Sequence, residues 1–371
     1  MLKKNLKFLA LSMLMTTGAW ADGQFILGAT YNGWNTNYQA PAQDNGYEFL
    51  VPVDVSYRFM PELKLYGQGE FMAANDVGSA GTYTLSNFSD TILGAELNFK
   101  TFGLSSLCNV AFNVPTGDTS WSTKEQNSIV PTQFIDSRYS GRGFGMSAFY
   151  GLALPEGRGA YNVGVGYLYS GAFNPSYGNI TAITALKLGD AVFFAANHIT
   201  PYQDDQNEIV RFSIYQSFAT LENNQNYYQL GTNFNASYNW SNPKALSFEV
   251  GTQLYMPSSW STNGGPLVTE VKNSNGPRVY ATSSYAFGDL SVAGVVKYIF
   301  QSDSTINYNG GGFLAGLGPA YRLKLAEDSD IKFSGMVNYV NANNNATDAN
   351  GNLTSTQYIM WTLSTAYEVK L

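Results

Sequence analysis

Residues 355–371, STQYIMWTLSTAYEVKL, place Ile359, Trp361, Leu363, Thr365, Tyr367, Val369 and Leu371 on one parity. Met360, Thr362, Ser364, Ala366, Glu368 and Lys370 fall on the other. A period of two means a β-strand with one apolar and one polar face. The last residue falls on the apolar parity.

The same alternation recurs along the chain. Phe49, Val51, Val53, Val55, Tyr57 and Phe59 alternate with Leu50, Pro52, Asp54, Ser56 and Arg58. Leu63, Leu65, Gly67, Gly69 and Phe71 alternate with Lys64, Tyr66, Gln68 and Glu70. Comparable runs span 228–240, 246–256 and 331–339. At about 9–13 residues they have the length a tilted strand needs to cross a bilayer. Strands of soluble domains are shorter, about 5–6 residues.

Connections alternate between short and long. Short ones fall at 60–62, 101–103, 155–159, 189–190, 241–244, 288–289 and 326–329; long ones fall near 34–46, 75–86, 116–142, 257–277, 301–311 and 342–353. Aromatic residues mark both strand ends: Phe59, Phe99, Tyr238, Trp240 and Phe287 beside short turns, Tyr298, Phe300 and Tyr339 beside long loops. Two aromatic rims fit two membrane interfaces. The pattern predicts an all-β fold, a transmembrane antiparallel up-and-down β-barrel of about 16 strands, within a range of 14–18. One alternating segment, 207–218, is left over and is expected inside a long external loop at 201–226.

Composition agrees. Charged residues make up 13% of the chain, against about 25% in soluble domains. Lys3, Lys4 and Lys7, an apolar core from Phe8 to Met15, and Ala19-Trp20-Ala21 read as a signal peptide over 1–21 with cleavage before Asp22. The barrel then spans 22–371. Losing three lysines takes the formal net charge from −7 to −10, which argues against nucleic acid as a partner. Cys108 is a single cysteine on an apolar parity, so it has no intramolecular disulfide partner.

The terminal strand resembles the C-terminal signature of bacterial outer-membrane β-barrel porins. It departs from them in ending on Leu371 rather than an aromatic residue. The resemblance implies residence in the bacterial outer membrane, contact with outer-membrane lipid, recognition of the C-terminal strand by the barrel-assembly machinery, and a homotrimer. A second resemblance covers 109–172, which reads NVAFNVPTGD, a long polar stretch, GRGFGMSAFYGLAL, a turn and YNVGVGYLYSGA. It is similar to outer-membrane channels linked to aromatic-compound degradation, relatives in style of long-chain fatty acid transporters. Read without that resemblance, Pro115 ends a strand and Gly117-Asp118 turns the chain.

The connection 116–142 is the longest and the third external one. In general porins the third loop folds inward; the likeness here is in position and length, without the acidic-aromatic-glycine motif. Its charges are Asp118, Lys124, Glu125, Asp136, Arg138 and Arg142. Mixed charges across a constriction would filter solutes by size and dipole; the alternative is a solvated surface loop. On lumen parity, Asp54, Glu70, Glu96, Glu249 and Lys297 fall at strand middles, and complete the candidate pore-lining set. Arg58, Lys64, Lys100, Arg322, Lys324 and Lys332 fall near short turns. Other inward positions are mostly uncharged and polar, with no sustained apolar groove expected. More acids than bases in the external connections predict a mild cation preference.

These features imply a channel for passive diffusion of small hydrophilic solutes. A substrate-specific channel for hydrophobic or aromatic compounds, or a non-conducting surface barrel, are the alternatives. No enzyme is expected: His198 is a single histidine, followed by Thr200 rather than a serine, and no paired carboxylates stand out. Gly310-Gly311-Gly312 and Gly141-Arg142-Gly143 open strands, not helices, so they are not phosphate cradles. No cofactor or metal is implied.

Overall fold

The computed structural model describes residues 22–36, 45–78, 81–117, 143–173, 185–202, 206–229, 231–256, 258–261, 266–271, 277–300, 311–347 and 353–370. Every regular element among them is a strand. The wall opens with β1 (Asp22–Thr36), β2 (Asn45–Met60), β3 (Leu63–Gly78), β4 (Gly81–Phe88), β5 (Thr91–Thr101) and β6 (Leu104–Val114). It continues with β7 (Gly145–Glu156) and β8 (Gly159–Ser170). After two short strands, β9 (Ala172–Phe173) and β10 (Leu186–Lys187), come β11 (Ala191–Pro201) and β12 (Asn207–Ser217). Then follow β13 (Thr220–Glu222), β14 (Gln225–Gln229), β15 (Asn233–Ser241), β16 (Leu246–Tyr255), β17 (Ser258–Trp260) and β18 (Val268–Val271). The chain finishes with β19 (Arg278–Phe287), β20 (Leu290–Ile299), β21 (Gly312–Ala326), β22 (Ser329–Thr347) and β23 (Leu353–Lys370).

Neighbouring strands are antiparallel, and β23 pairs with β1 from Gln24↔Lys370 to Thr36↔Tyr358, which closes the ring. Both β4 and β5 pair with β3, one after the other, so together they occupy one place in the wall and the barrel has 16 strands. Closure leaves no unpaired edge, the condition for a sheet in hydrocarbon. The six remaining strands form a second antiparallel sheet, in the order β18-β17-β14-β13-β10-β9, built from the connections after β8, β12 and β16.

One end of the barrel carries the tight turns. Phe102 and Gly103 both have positive φ (51° and 81°), the pattern of a type I′ hairpin turn. Phe102 is fully exposed there. The outward parity is apolar and exposed, including Leu27, Val53, Leu97, Val165, Leu317 and Leu363. Aromatic pairs ring both ends. Tyr57–Phe59 (4.7 Å), Tyr285–Phe287 (4.6 Å) and Tyr202–Trp240 (5.4 Å) sit toward the turn end. Tyr31–Tyr47 (5.9 Å), Phe71–Phe88 (5.2 Å) and Tyr298–Phe300 (4.8 Å) sit toward the loop end.

The total of 16 stands, but four expected segments are placed differently. Segment 207–218 is a wall strand, β12, joined to β11 by a short turn-end connection, not part of a long external loop. Gly189 and Asp190 lie at the loop end, just before β11, and are not a turn-end hairpin. Polar residues in a short connection and in a long one look alike locally; pairing partners decide which is which. The run 228–240 is likewise split, with 225–229 in the second sheet and 233–241 in the wall. Near 75–86 the strands run on to Gly78↔Gly81, so that connection is a hairpin tip.

Candidate functional site

Ladder register fixes which side chains face the lumen. Even positions point inward on β1, β2, β3 and β5; odd ones do so on β6 and β7, then even again on β8, as the pairs Gln68↔Ile92, Glu96↔Asn109 and Phe149↔Gly166 require. Asp54 lies between the exposed Val53 and Val55, and Glu70, Glu96, Glu249 and Lys297 share its inward parity. Glu96 accepts from Asn98 Nδ2 at 3.2 Å. Asp118, Lys124, Glu125, Asp136, Arg138 and Arg142 lie outside the described residues.

Inward groups bond around the wall, strand to strand. Thr362 Oγ1 donates to Asn32 Oδ1 (2.9 Å), and Asn32 Nδ2 donates to Glu48 Oε2 (3.2 Å). Glu368 accepts from Gln24 Nε2 and Lys332 Nζ, both at 2.7 Å, and so bridges β1, β22 and β23 across the closing seam. Arg322 pairs with Asp330. Glu249 accepts from Arg211 Nη1 (3.1 Å) and Tyr280 Oη (2.8 Å). Glu368 lies on the polar parity expected for it, whereas Arg211 and Glu48 are lumen charges that the sequence reading does not place. Arg211 escaped because β12 was not assigned to the wall.

Within the mostly polar wall, two apolar patches interrupt the inner face. Trp34, Leu314, Val340 and Met360 are buried on inward parity and pack together, with Val295 against them. Phe149 and Phe193 also point inward, with ring centroids 5.9 Å apart and planes 3° from parallel. Each strand contributes one or two of these residues, so no single run displays them. Register across strands, as in Trp34↔Met360 and Leu314↔Val340, assembles the patches.

Two aspartates root the long connections. Asp90 accepts from Asn113 Nδ2 (2.7 Å) and the Gly117 N–H (3.0 Å). Asn113 Nδ2 also donates to the Gly143 carbonyl at 2.6 Å, so both feet of the 118–142 connection meet one inward-facing cluster. Asp190 accepts from the Ser170 N–H (3.0 Å) and Tyr167 Oη (2.8 Å), with Lys187 Nζ at 3.4 Å. Burial alone would raise its carboxyl, but those donors and the Lys187 charge outweigh burial and hold it below the ordinary aspartate value.

His198 is on the outward parity of β11 near the turn end, not beside an external loop. Its ring packs on Tyr161 at 4.4 Å, and Nε2 lies 3.8 Å from Glu156 Oε2.

No protein-family model matches the chain, and no curated protein matches it in sequence. Solved structures do match in shape. The crystal structure of Acinetobacter baumannii OccAB1 aligns over 95% of this chain and 97% of its own, with TM-score 0.51 and 10% identity. Pseudomonas aeruginosa OpdK, crystallised with vanillate, aligns over 95% and 99% with TM-score 0.48 and 10% identity. A Rhodopseudomonas blastica porin mutant aligns over 94% and 99% with TM-score 0.42 and 11% identity. The chain therefore has the closed, 16-strand barrel fold of outer-membrane channel proteins.

Proposed function

We propose that this protein is an outer-membrane channel through which small hydrophilic solutes diffuse passively. The observation that carries this reading is the inversion of a soluble fold: apolar side chains outside, hydrogen-bonded polar and charged ones inside, on a closed wall. Such a wall spares a solute the cost of entering hydrocarbon. Export with removal of residues 1–21 rests on the basic Lys3, Lys4 and Lys7, the apolar Phe8 to Met15 and the Ala19-Trp20-Ala21 site. N-terminal sequencing of the membrane-extracted protein should begin at Asp22. Contact with outer-membrane lipid and delivery by the assembly machinery through β23 belong to the same reading. A homotrimer is its assembly, to be tested by cross-linking in native membranes.

The connection 118–142 is the proposed constriction, because both its feet are tied to Asp90 and Asn113, which face the lumen. Asp54, Glu70, Glu96, Glu249 and Lys297 line the proposed path beneath it. Planar-bilayer recording on the refolded mature chain tests the whole reading. Stable open channels are expected; their absence over many insertions would refute it. Deleting Ser120 to Asp136 should enlarge the unit conductance, and an unchanged value would place the loop away from the pore.

A further inference from the structure

Four consecutive wall strands, β6, β7, β8 and β11, put no Asp, Glu, Lys or Arg on inward parity. Elsewhere around the ring β15 alone lacks an inward charge and both its neighbours carry one, Arg211 and Glu249, so this four-strand sector is chemically distinct. At its centre lie Phe149 and Phe193, side by side and 3° from parallel. Both rings lie over glycine. A Cβ at Gly164 would collide with the Phe149 ring, and one at Gly166 with the Phe193 ring. Two glycines on β8 thus leave the space in which two rings lie flat against the wall, each with one face on backbone. Neither ring is buried. In register beyond the pair stand the inward residues Asn109 on β6 and Tyr215 on β12.

Covering wall glycines explains the first face of each ring. It does not explain two adjacent parallel rings in the one sector without charge. Two parallel ring faces side by side, with polar groups at both edges, complement a planar ring carrying hydroxyl or amide substituents. Lack of charge favours a neutral ring over a carboxylate. We propose that Phe149 and Phe193 form a binding platform on the channel wall for neutral, polar monocyclic aromatic solutes. This deepens the channel reading and rests on it for passage, but not for binding.

The test uses a matched pair of probes, catechol and cyclohexane-1,2-diol, which differ chiefly in planarity and ring electrons. Catechol should reduce wild-type single-channel current saturably, at a concentration about two- to tenfold below that of the diol, the fold-change an aromatic stacking contact supplies. Replacing both residues (Phe149→Leu with Phe193→Leu) should erase the difference between probes, while Phe149→Tyr with Phe193→Tyr should keep it. Equal block by both probes in the wild type would overturn the platform, and this comparison needs no variant to fold. A difference that survives the double leucine variant would also overturn it. Should the wild type form no channels, the channel reading fails, and saturation-transfer NMR of catechol on the detergent-solubilised barrel decides the platform separately. A catechol signal stronger than the diol's upholds it, and equal signals reject it.

Discussion

A single side chain in this barrel acts through the face it occupies. Leu363 sits mid-way along the outward apolar run of β23 and is 58% exposed; Ala366 faces the lumen three residues on. An arginine on a lipid face costs about 2–4 kcal/mol at the bilayer midplane, and little in a polar lumen. Leu363→Arg should therefore lower the amount of folded protein recovered from membranes much more than Ala366→Arg; equal recoveries would mean that the faces are reversed. Glu368 is a different case, because it holds Lys332 and Gln24 across the seam. Lys332 is half exposed, so that ion pair contributes on the order of 0–1 kcal/mol. Glu368→Gln should shift the urea midpoint of unfolding only slightly. Phe102 carries a positive φ that a bulky residue rarely adopts. Phe102→Asn suits that backbone and should raise the refolding yield in detergent, where no bilayer interface holds the ring. An unchanged or lower yield would mean that the turn gains nothing from a residue suited to its backbone.

Elements were legible wherever one strand carries its own signal. The alternation of 49–59, 63–71 and 355–370 reads directly as wall, and the faces assigned there hold. Legibility ended where identity depends on a partner. Segment 207–218 alternates as well as its neighbours, yet only pairing with β11 and β15 shows that it belongs to the wall. The small sheet above the loop end is built from strands too short to show any period. The lumen was half legible: inward charges follow from parity, but Phe149 and Phe193 gain meaning only side by side. Asp90 and Asp190, the anchors of the connections, sit in ordinary polar stretches. Asp190 makes a pH prediction. Its folded carboxyl titrates below the ordinary value of 3.8, so the stability it lends the 171–190 connection is complete above that value and is lost as pH falls through the lowered one. Cleavage by pepsin within 171–190 should be slower than in Asp190→Asn at about pH 4.5, and the two rates should converge as pH falls below 3.8 and the carboxylate is protonated. Asp190→Asn should be cut readily by a neutral protease at pH 7, and if it resists, the anchor is dispensable.

Across the whole molecule, charge is distributed along the barrel axis as well as around it. Arg58, Lys64, Lys100, Arg322, Lys324 and Lys332 lie on inward parity toward the turn end. Arg322 and Lys332 are neutralised by Asp330 and Glu368. Arg58, Lys64 and Lys100 occupy adjacent strands, with Asp22 in register with Arg58 and Glu96 with Lys64, so bases and acids alternate at that end. Acids outnumber bases in the connections at the other end, including Asp44, Asp303 and Asp348 in the sequence, whereas Asp204 and Asp205 fall in the turn-end connection between β11 and β12. An uncharged cylinder would conduct equally in both directions; one whose fixed charges differ between its two ends should not. Fixed charges act over about 10 Å at 0.1 M salt and about 3 Å at 1 M. The current–voltage curve of a channel inserted in one orientation should therefore be asymmetric at 0.1 M KCl and close to linear at 1 M. Replacing Arg58, Lys64 and Lys100 together by glutamine should flatten the curve at low salt and increase the preference for potassium over chloride. If the triple variant keeps the wild-type asymmetry, the turn-end bases do not control the ion path, and the charges of the 118–142 connection become the group to neutralise next.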